Sequence, residues 1–165
     1  GIMKDVDTLS KPKPFDANIV AKNLKRFEFV FKDSMLGYVD SYPETNFYFY
    51  LPPCSRVYDA LLAQYDPTGL VIYTKSIKIV TNSLEKYSNA KLFGFGESPF
   101  VDDLANFMDI CHYHKKFDSA MLKWIKNGKG ELLSENLPNY FSKVDQQAYS
   151  LDLVELAKEI KNNIL

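Results

Sequence analysis

The stretch Asn46-Phe47-Tyr48-Phe49-Tyr50-Leu51-Pro52-Pro53 decides the fold class. Every residue between Asn46 and the prolines is aromatic or apolar, and aromatic side chains favour a pleated, buried strand. Proline has no N–H to donate to a strand ladder, so the Pro-Pro pair ends the strand. The sequence therefore predicts a buried β-strand over residues 46–51 with a turn directly after it.

Helical patterns surround this strand. Asp16 is a suitable N-cap for an apolar repeat of helical spacing, and Asp66-Pro67 combines a cap with proline at the first helical position. The elements predicted in chain order are helix 16–40, strand 46–51, helix 57–64, helix 67–87, strand 90–95, helix 117–125 and a last helix after Ser150.

The alternation of strands with helices of ten or more residues predicts an α/β fold, with the two strands parallel neighbours and helices on the faces of the sheet. We expect one domain over residues 1–165. Two strands are few for such a sheet, so either further strands escape the pattern or part of the sheet lies outside this chain. The opening Gly1-Ile2-Met3 also suggests a fragment of a longer protein.

Composition excludes several classes of partner. Lys and Arg total 20 against 21 Asp and Glu, so no broad positive field favours nucleic acid. No apolar run approaches the length of a membrane span. Cys54 and Cys111 are too few for a disulfide framework, and both one bridge and two inert buried thiols remain open.

Functional groups of parallel sheets gather where the strands end. Ser55 and Arg56 follow the first strand, so we take them as candidate substrate-binding residues, although a solvated surface arginine is an equal alternative. Asp109 and His112 lie three residues apart after the second strand. On a turn this spacing lets the carboxylate meet one imidazole nitrogen and leaves the other free to take a proton from a hydroxyl.

The spacing Asp-x-x-His is common, and an exposed or capping histidine is the plain alternative. A metal site at His112 and His114 is a weaker one, because no third ligand stands at a diagnostic spacing. We expect neither a metal nor a cofactor.

Three ordered segments resemble the C-terminal half of bacterial SGNH-hydrolase-like proteins. They are the aromatic strand with its Pro-Pro-x-Ser turn at residues 47–55, the segment 89–95, and the Asp-x-x-His-Tyr motif within residues 106–113. Gly94 stands where that family's pattern has Asp. The resemblance implies a flavodoxin-like, three-layer parallel sheet, of which residues 1–165 form the C-terminal part.

The resemblance further implies an esterase or O-acyltransferase in which His112 is the general base and Asp109 orients it. It implies an ester or acylated glycan as substrate and a cell-envelope, extracytoplasmic location. The family's Gly-Asp-Ser block is absent, and neither Ser34 nor Ser98 has its surroundings. We therefore expect this chain alone to be inactive, completed by a missing N-terminal half or protected by self-association. The alternative is a non-catalytic binding or interaction module of the same fold.

Overall fold

A computed structural model describes residues 12–164 of the protein. It is a mixed α/β structure in which helices predominate over a small sheet. The elements are α1 (Ala17–Val30), a π-helical segment (Phe31–Leu36), α2 (Gly37–Ser41), β1 (Phe47–Leu51), α3 (Arg56–Tyr65), α4 (Pro67–Leu84), β2 (Ala90–Gly94), α5 (Lys116–Lys126), α6 (Leu137–Ser150) and α7 (Leu153–Ile164), with 3₁₀ turns at Pro99–Asp102 and Leu104–Asn106.

The predicted helix starts are confirmed. The Asp16 carboxylate accepts the backbone N–H groups of Asn18 and Ile19 at 2.8 and 3.0 Å, which satisfies two donors that a helix N-terminus leaves unpaired. The Asp66 carboxylate accepts the Gly69 N–H at 2.8 Å, and proline occupies the first position of α4. The first helix continues through the π-helical segment into α2, so its predicted end near residue 40 is also confirmed.

The two predicted strands are parallel neighbours, in register from Phe47 opposite Ala90 to Leu51 opposite Gly94. The chain leaves β1 at its prolines, passes through α3 and α4, and returns to β2. A helical crossover of this kind is what a parallel pair requires. The predicted strand order and direction are therefore confirmed.

The sheet is closed on one edge and open on the other. Beside β2, the Gly94 N–H donates to the Gly130 carbonyl at 2.9 Å, and the Leu132 N–H donates to the Leu92 carbonyl at 2.8 Å. On the far side of β1, no strand within residues 12–164 pairs with it. The structure thus shows a two-stranded parallel sheet in which, among residues 12–164, no further strand pairs with the outer edge of β1.

Helix α6 was missed in the sequence. Its buried positions are Leu137, Tyr140, Val144 and Ala148, which is helical spacing, but polar residues dominate the rest of the segment. The helix packs on α3 and places Tyr140 beneath the end of β2. A Cβ atom on Gly94 would lie 2.8 Å from Leu132 Cδ1 and 3.0 Å from the Tyr140 hydroxyl. This crowding explains physically why glycine stands at position 94.

Within residues 12–164, no helix has both the length and the apolar character that crossing a membrane requires.

Candidate functional site: the Asp109–His112 loop and the strand ends

Residues 106–114 form a tight hairpin loop after the two 3₁₀ turns. The Met108 N–H donates to the His112 carbonyl and the His114 N–H to the Asn106 carbonyl, each at 2.7 Å. The Asn106 side chain is buried and donates to the Phe100 carbonyl at 2.9 Å. These bonds fix the shape of the loop from within.

Two neighbouring residues fasten this loop to the end of β1. The Ser55 N–H and the Ser55 hydroxyl both donate to the Ile110 carbonyl at 2.8 Å. Cys54 and Cys111 form a disulfide across a sequence separation of 57 residues. The interpretation of both cysteines as inert thiols is therefore wrong, and the open alternative of one bridge is what the structure contains.

Asp109 contacts the chain with both carboxylate oxygens. One oxygen accepts the N–H groups of Cys111 and His112 at 2.8 and 2.7 Å, and the other lies 2.5 Å from His112 Nδ1. The two backbone donors, followed by the imidazole, hold the Asp109 pKa down at about 2. Asp109 is therefore an anion at neutral pH and a fixed acceptor for the imidazole.

The Nε2 atom of His112 is free to accept a proton. Its side chain is 75% exposed, and Nε2 has no hydrogen-bond partner within the described residues. In the neutral ring the proton lies on Nδ1, toward Asp109, so Nε2 carries the lone pair. His114 is the reverse case, because its Nδ1 accepts the Lys116 N–H at 3.1 Å and its neutral ring keeps the proton on Nε2. Two histidines that lie two residues apart are thus held in opposite tautomers.

The serines considered from the sequence lie elsewhere. Ser34 is an exposed residue of the π-helical segment and lines an apolar groove with α1 and β1. The Ser98 hydroxyl accepts the Phe100 N–H at the start of a 3₁₀ turn. The Ser55 side chain is fully buried. No hydroxyl group within residues 12–164 hydrogen-bonds to His112 Nε2.

Arg56, the second candidate for substrate binding, is a buried structural cation with 4% exposure. Its guanidinium donates to Asp102 at 2.9 Å, to Asp59 at 3.2 Å and to the Gly96 carbonyl at 3.0 Å. The alternative of a solvated surface arginine is therefore wrong. Arg56 instead joins α3 to the loop after β2, which holds the two strand ends together.

A narrow crevice, which the sequence does not predict, lies at the strand ends. It contains about 20 Å³ of free volume, which is room for one water molecule. Asp59 and Asp145 face it from α3 and α6, with Tyr73 and Tyr140 beside them. Burial raises the pKa of Asp59 to about 7, although Arg56 acts in the opposite direction. Burial also raises the pKa of Asp145 and raises that of Tyr140 to about 12.

One signal in the sequence could have identified part of this crevice. Asp59 lies on the predicted helix 57–64, three residues after Arg56, and Asp109 and His112 have the same spacing. Asp145 had no such signal, since it lies on the helix that was missed. Among the described residues, no group of three His, Cys, Asp or Glu side chains is placed to hold a metal ion.

Comparison with known proteins yields no relative: no protein-family model matches the sequence, and neither a curated protein nor a solved structure matches it.

Proposed function

We propose that the chain supplies the acid–base end of an SGNH-type ester hydrolase or O-acyltransferase site, with His112 as general base and Asp109 as its orienting partner. The observation that carries this function is the 2.5 Å contact between Asp109 and His112 Nδ1, which leaves Nε2 free at the surface. The hydroxyl that gives its proton to His112 and attacks the ester comes from a serine outside this chain or from the substrate itself.

The chemistry follows from that contact. A carboxylate at Nδ1 holds the imidazole in the tautomer that accepts a proton at Nε2 and stabilises the imidazolium that forms. Asp109 remains ionised because its pKa is about 2. The loop is anchored at Ser55 and Cys54, at the end of β1, where ligands of parallel sheets bind.

The disulfide supports the extracytoplasmic part of the proposal. Stable disulfides form in oxidising compartments and are rare in the cytosol. The Cys54–Cys111 bridge lies beside the proposed base, which suits a protein of the cell envelope acting on an acylated glycan. The flavodoxin-like sheet of this proposal needs additional strands, and the open edge of β1 is the place where they would join.

Acyl transfer to an added sugar tests the function with the chain as it is. We expect p-nitrophenyl acetate alone to be hydrolysed hardly faster than in buffer. Addition of N-acetylglucosamine should accelerate p-nitrophenolate release, because the sugar hydroxyl supplies the missing nucleophile. A positioned general base contributes about 10²- to 10⁴-fold, but an unpositioned acceptor forfeits most of that advantage, so we expect a rise of about two- to tenfold.

The matched controls are in the same loop. His114→Ala should keep the sugar-dependent rate, whereas His112→Ala and Asp109→Asn should lose it. Equal sugar dependence in the unmodified chain and in His112→Ala would refute the proposed base.

A non-catalytic interaction module is the second candidate, and the open edge of β1 favours it. Tyr48 and Tyr50 on that strand are exposed, and an unpaired edge with uncharged side chains invites another strand. Sedimentation velocity decides this point. Strand pairing between copies is supported if the protein forms a concentration-dependent dimer that Tyr48→Lys or Tyr50→Lys abolishes. A monomer at all concentrations excludes strand pairing between copies.

A further inference from the structure

The apolar groove that Ser34 lines is formed by residues of α1, the π-helical segment, β1, α4 and β2. Its volume is about 260 Å³. Phe31 and Leu92 in its lining belong to the hydrophobic core and are 3% exposed. Val30, Met35 and Tyr50 in the same lining are exposed. The groove therefore connects the core of the protein with its surface.

The π-helical segment gives the groove an unusual backbone and a free hydroxyl group. Phe31, Ser34 and Met35 of this segment line the groove, and π-helical turns are rare and occur frequently at functional sites. A hydroxyl in a helix commonly donates to the carbonyl four residues earlier, as Thr81 does to Ile77 at 3.0 Å. The exposed Ser34 hydroxyl has no hydrogen-bond partner in the described part of the chain, so it is free to bond to a ligand.

The charge of the lining restricts the ligand to a neutral molecule. No charged side chain lines the groove, and its polar side chains are Ser34 and Tyr50. The Tyr50 hydroxyl already has Tyr113 as its partner, and Lys32 of the π-helical segment is paired with Glu28 at 2.8 Å. A charged head group would therefore find no free counter-ion here.

The same lining suits a hydrocarbon chain better than a peptide. A peptide brings one N–H and one C=O at nearly every residue, and burying these groups without partners is costly. The aromatic and aliphatic side chains that dominate the groove offer no such partners. A hydrocarbon chain brings no polar group into the groove and needs only apolar contact.

We propose that this groove binds a neutral linear alkyl chain of about eight to ten carbons whose terminal hydroxyl bonds to Ser34. An apolar cavity of about 150 Å³ holds benzene, which has six carbons. A volume of about 260 Å³ therefore suits a chain of about ten carbons at the same packing. The site needs no role for His112 and stands apart from the acyl-transfer proposal.

A series of primary alcohols tests the groove with the unmodified chain. In ¹H–¹⁵N NMR titrations with 1-hexanol, 1-octanol, 1-decanol and 1-dodecanol, we expect saturable shifts at the amides of Ser34, Tyr50 and Leu51. Each methylene that enters the groove should tighten binding by about two- to fourfold. The gain should end near ten carbons, because further methylenes lie outside the groove. Decanoate should bind more weakly than 1-decanol, since its carboxylate has no cationic partner there.

Three variants separate the groove from the surface around it. Ser34→Phe takes up the space of two or more methylenes, so we expect it to weaken 1-decanol binding about tenfold. Ser34→Ala leaves the groove open and removes the hydroxyl, so the loss should be about two- to fivefold. Lys32→Phe adds the same ring at an exposed position outside the lining and should leave binding unchanged, since an exposed ion pair such as that with Glu28 contributes little.

Several results would overturn the proposal. The absence of saturable shifts at these three amides with every alcohol excludes the site. Affinity that keeps rising beyond ten carbons, or that Ser34→Phe leaves unchanged, shows non-specific binding. Unchanged binding by Ser34→Ala excludes the bond to Ser34. If the same amides respond to protein concentration and not to the alcohols, a second copy of the chain occupies the groove. The first and last of these results need no variant, so they stand even if a variant fails to fold.

Discussion

Replacement of Asp59 by asparagine should change how the stability of the protein depends on pH. The Asp59 side chain is 11% exposed and lies 3.2 Å from Arg56. Burial raises its pKa from 3.8 to about 7 in the folded state. The folded state therefore holds the proton more tightly than the unfolded state does. The contribution of this proton to the free energy of unfolding is fully present below about pH 4, and it is lost as the pH rises to about 7.

The size of the effect follows from the shift. About three pKa units at about 1.4 kcal/mol each give an upper bound of roughly 4 kcal/mol. Asparagine has the same shape, never ionises, and still offers an oxygen to Arg56. We therefore expect Asp59→Asn to match the unmodified protein near pH 4 and to exceed its free energy of unfolding by about 2–4 kcal/mol at pH 8.

Urea unfolding at intervals between pH 4 and pH 8 measures the difference. Asp102→Asn is the control, because Asp102 is a partner of the same guanidinium but has a half-exposed side chain. A constant difference between Asp59→Asn and the unmodified protein across this range would refute the idea that the buried carboxyl group titrates near neutrality.

Three further outcomes are expected. The double variant Cys54→Ser/Cys111→Ser should lose about 2–4 kcal/mol of unfolding free energy, since the bridge spans 57 residues; an unchanged denaturation midpoint under non-reducing conditions would exclude the bridge. Gly94→Ala should lower the free energy of unfolding by about 1–3 kcal/mol, because the added Cβ would meet Leu132 and Tyr140. Gly37→Ala is the control: its Cβ would lie in open space, so it should leave the stability unchanged or raise it. Equal effects at the two sites would contradict the packing described. Diethyl pyrocarbonate should modify His112 several times faster than His114, and mass spectrometry can measure the two rates. Asp109→Asn should reduce the difference between these rates. Equal rates in the unmodified chain would argue against the opposite tautomers.

The elements that the sequence predicted are those with local signals. Helix starts at Asp16 and Asp66 depend on side chains two or three residues from their targets, and the strand at residues 47–51 ends at its own prolines. The Asp109–His112 contact is equally local, because its two residues are three positions apart. Such features can be predicted because a single short segment contains both partners.

The features that were missed depend on distant partners. Arg56 is buried because Gly96 and Asp102 lie 40 and 46 residues further along the chain, and nothing in the residues around Arg56 indicates them. The sequence does not decide the pairing of Cys54 with Cys111 for the same reason, because the two cysteines lie 57 positions apart. Helix α6 has a weak apolar pattern, and its burial against α3 and β2 comes from the tertiary structure.

The Cys54–Cys111 bond has a mechanical consequence. It converts residues 54–111 into a covalently closed ring that contains α3, α4 and β2. Tension applied at the two ends of the chain passes through the sulfur atoms and bypasses the ring. The bypassed segment covers a sequence separation of 57, which represents about 200 Å of contour length at about 3.5 Å per residue. In a force-extension experiment this length would remain hidden while the bond is oxidised and would appear as one added step after reduction.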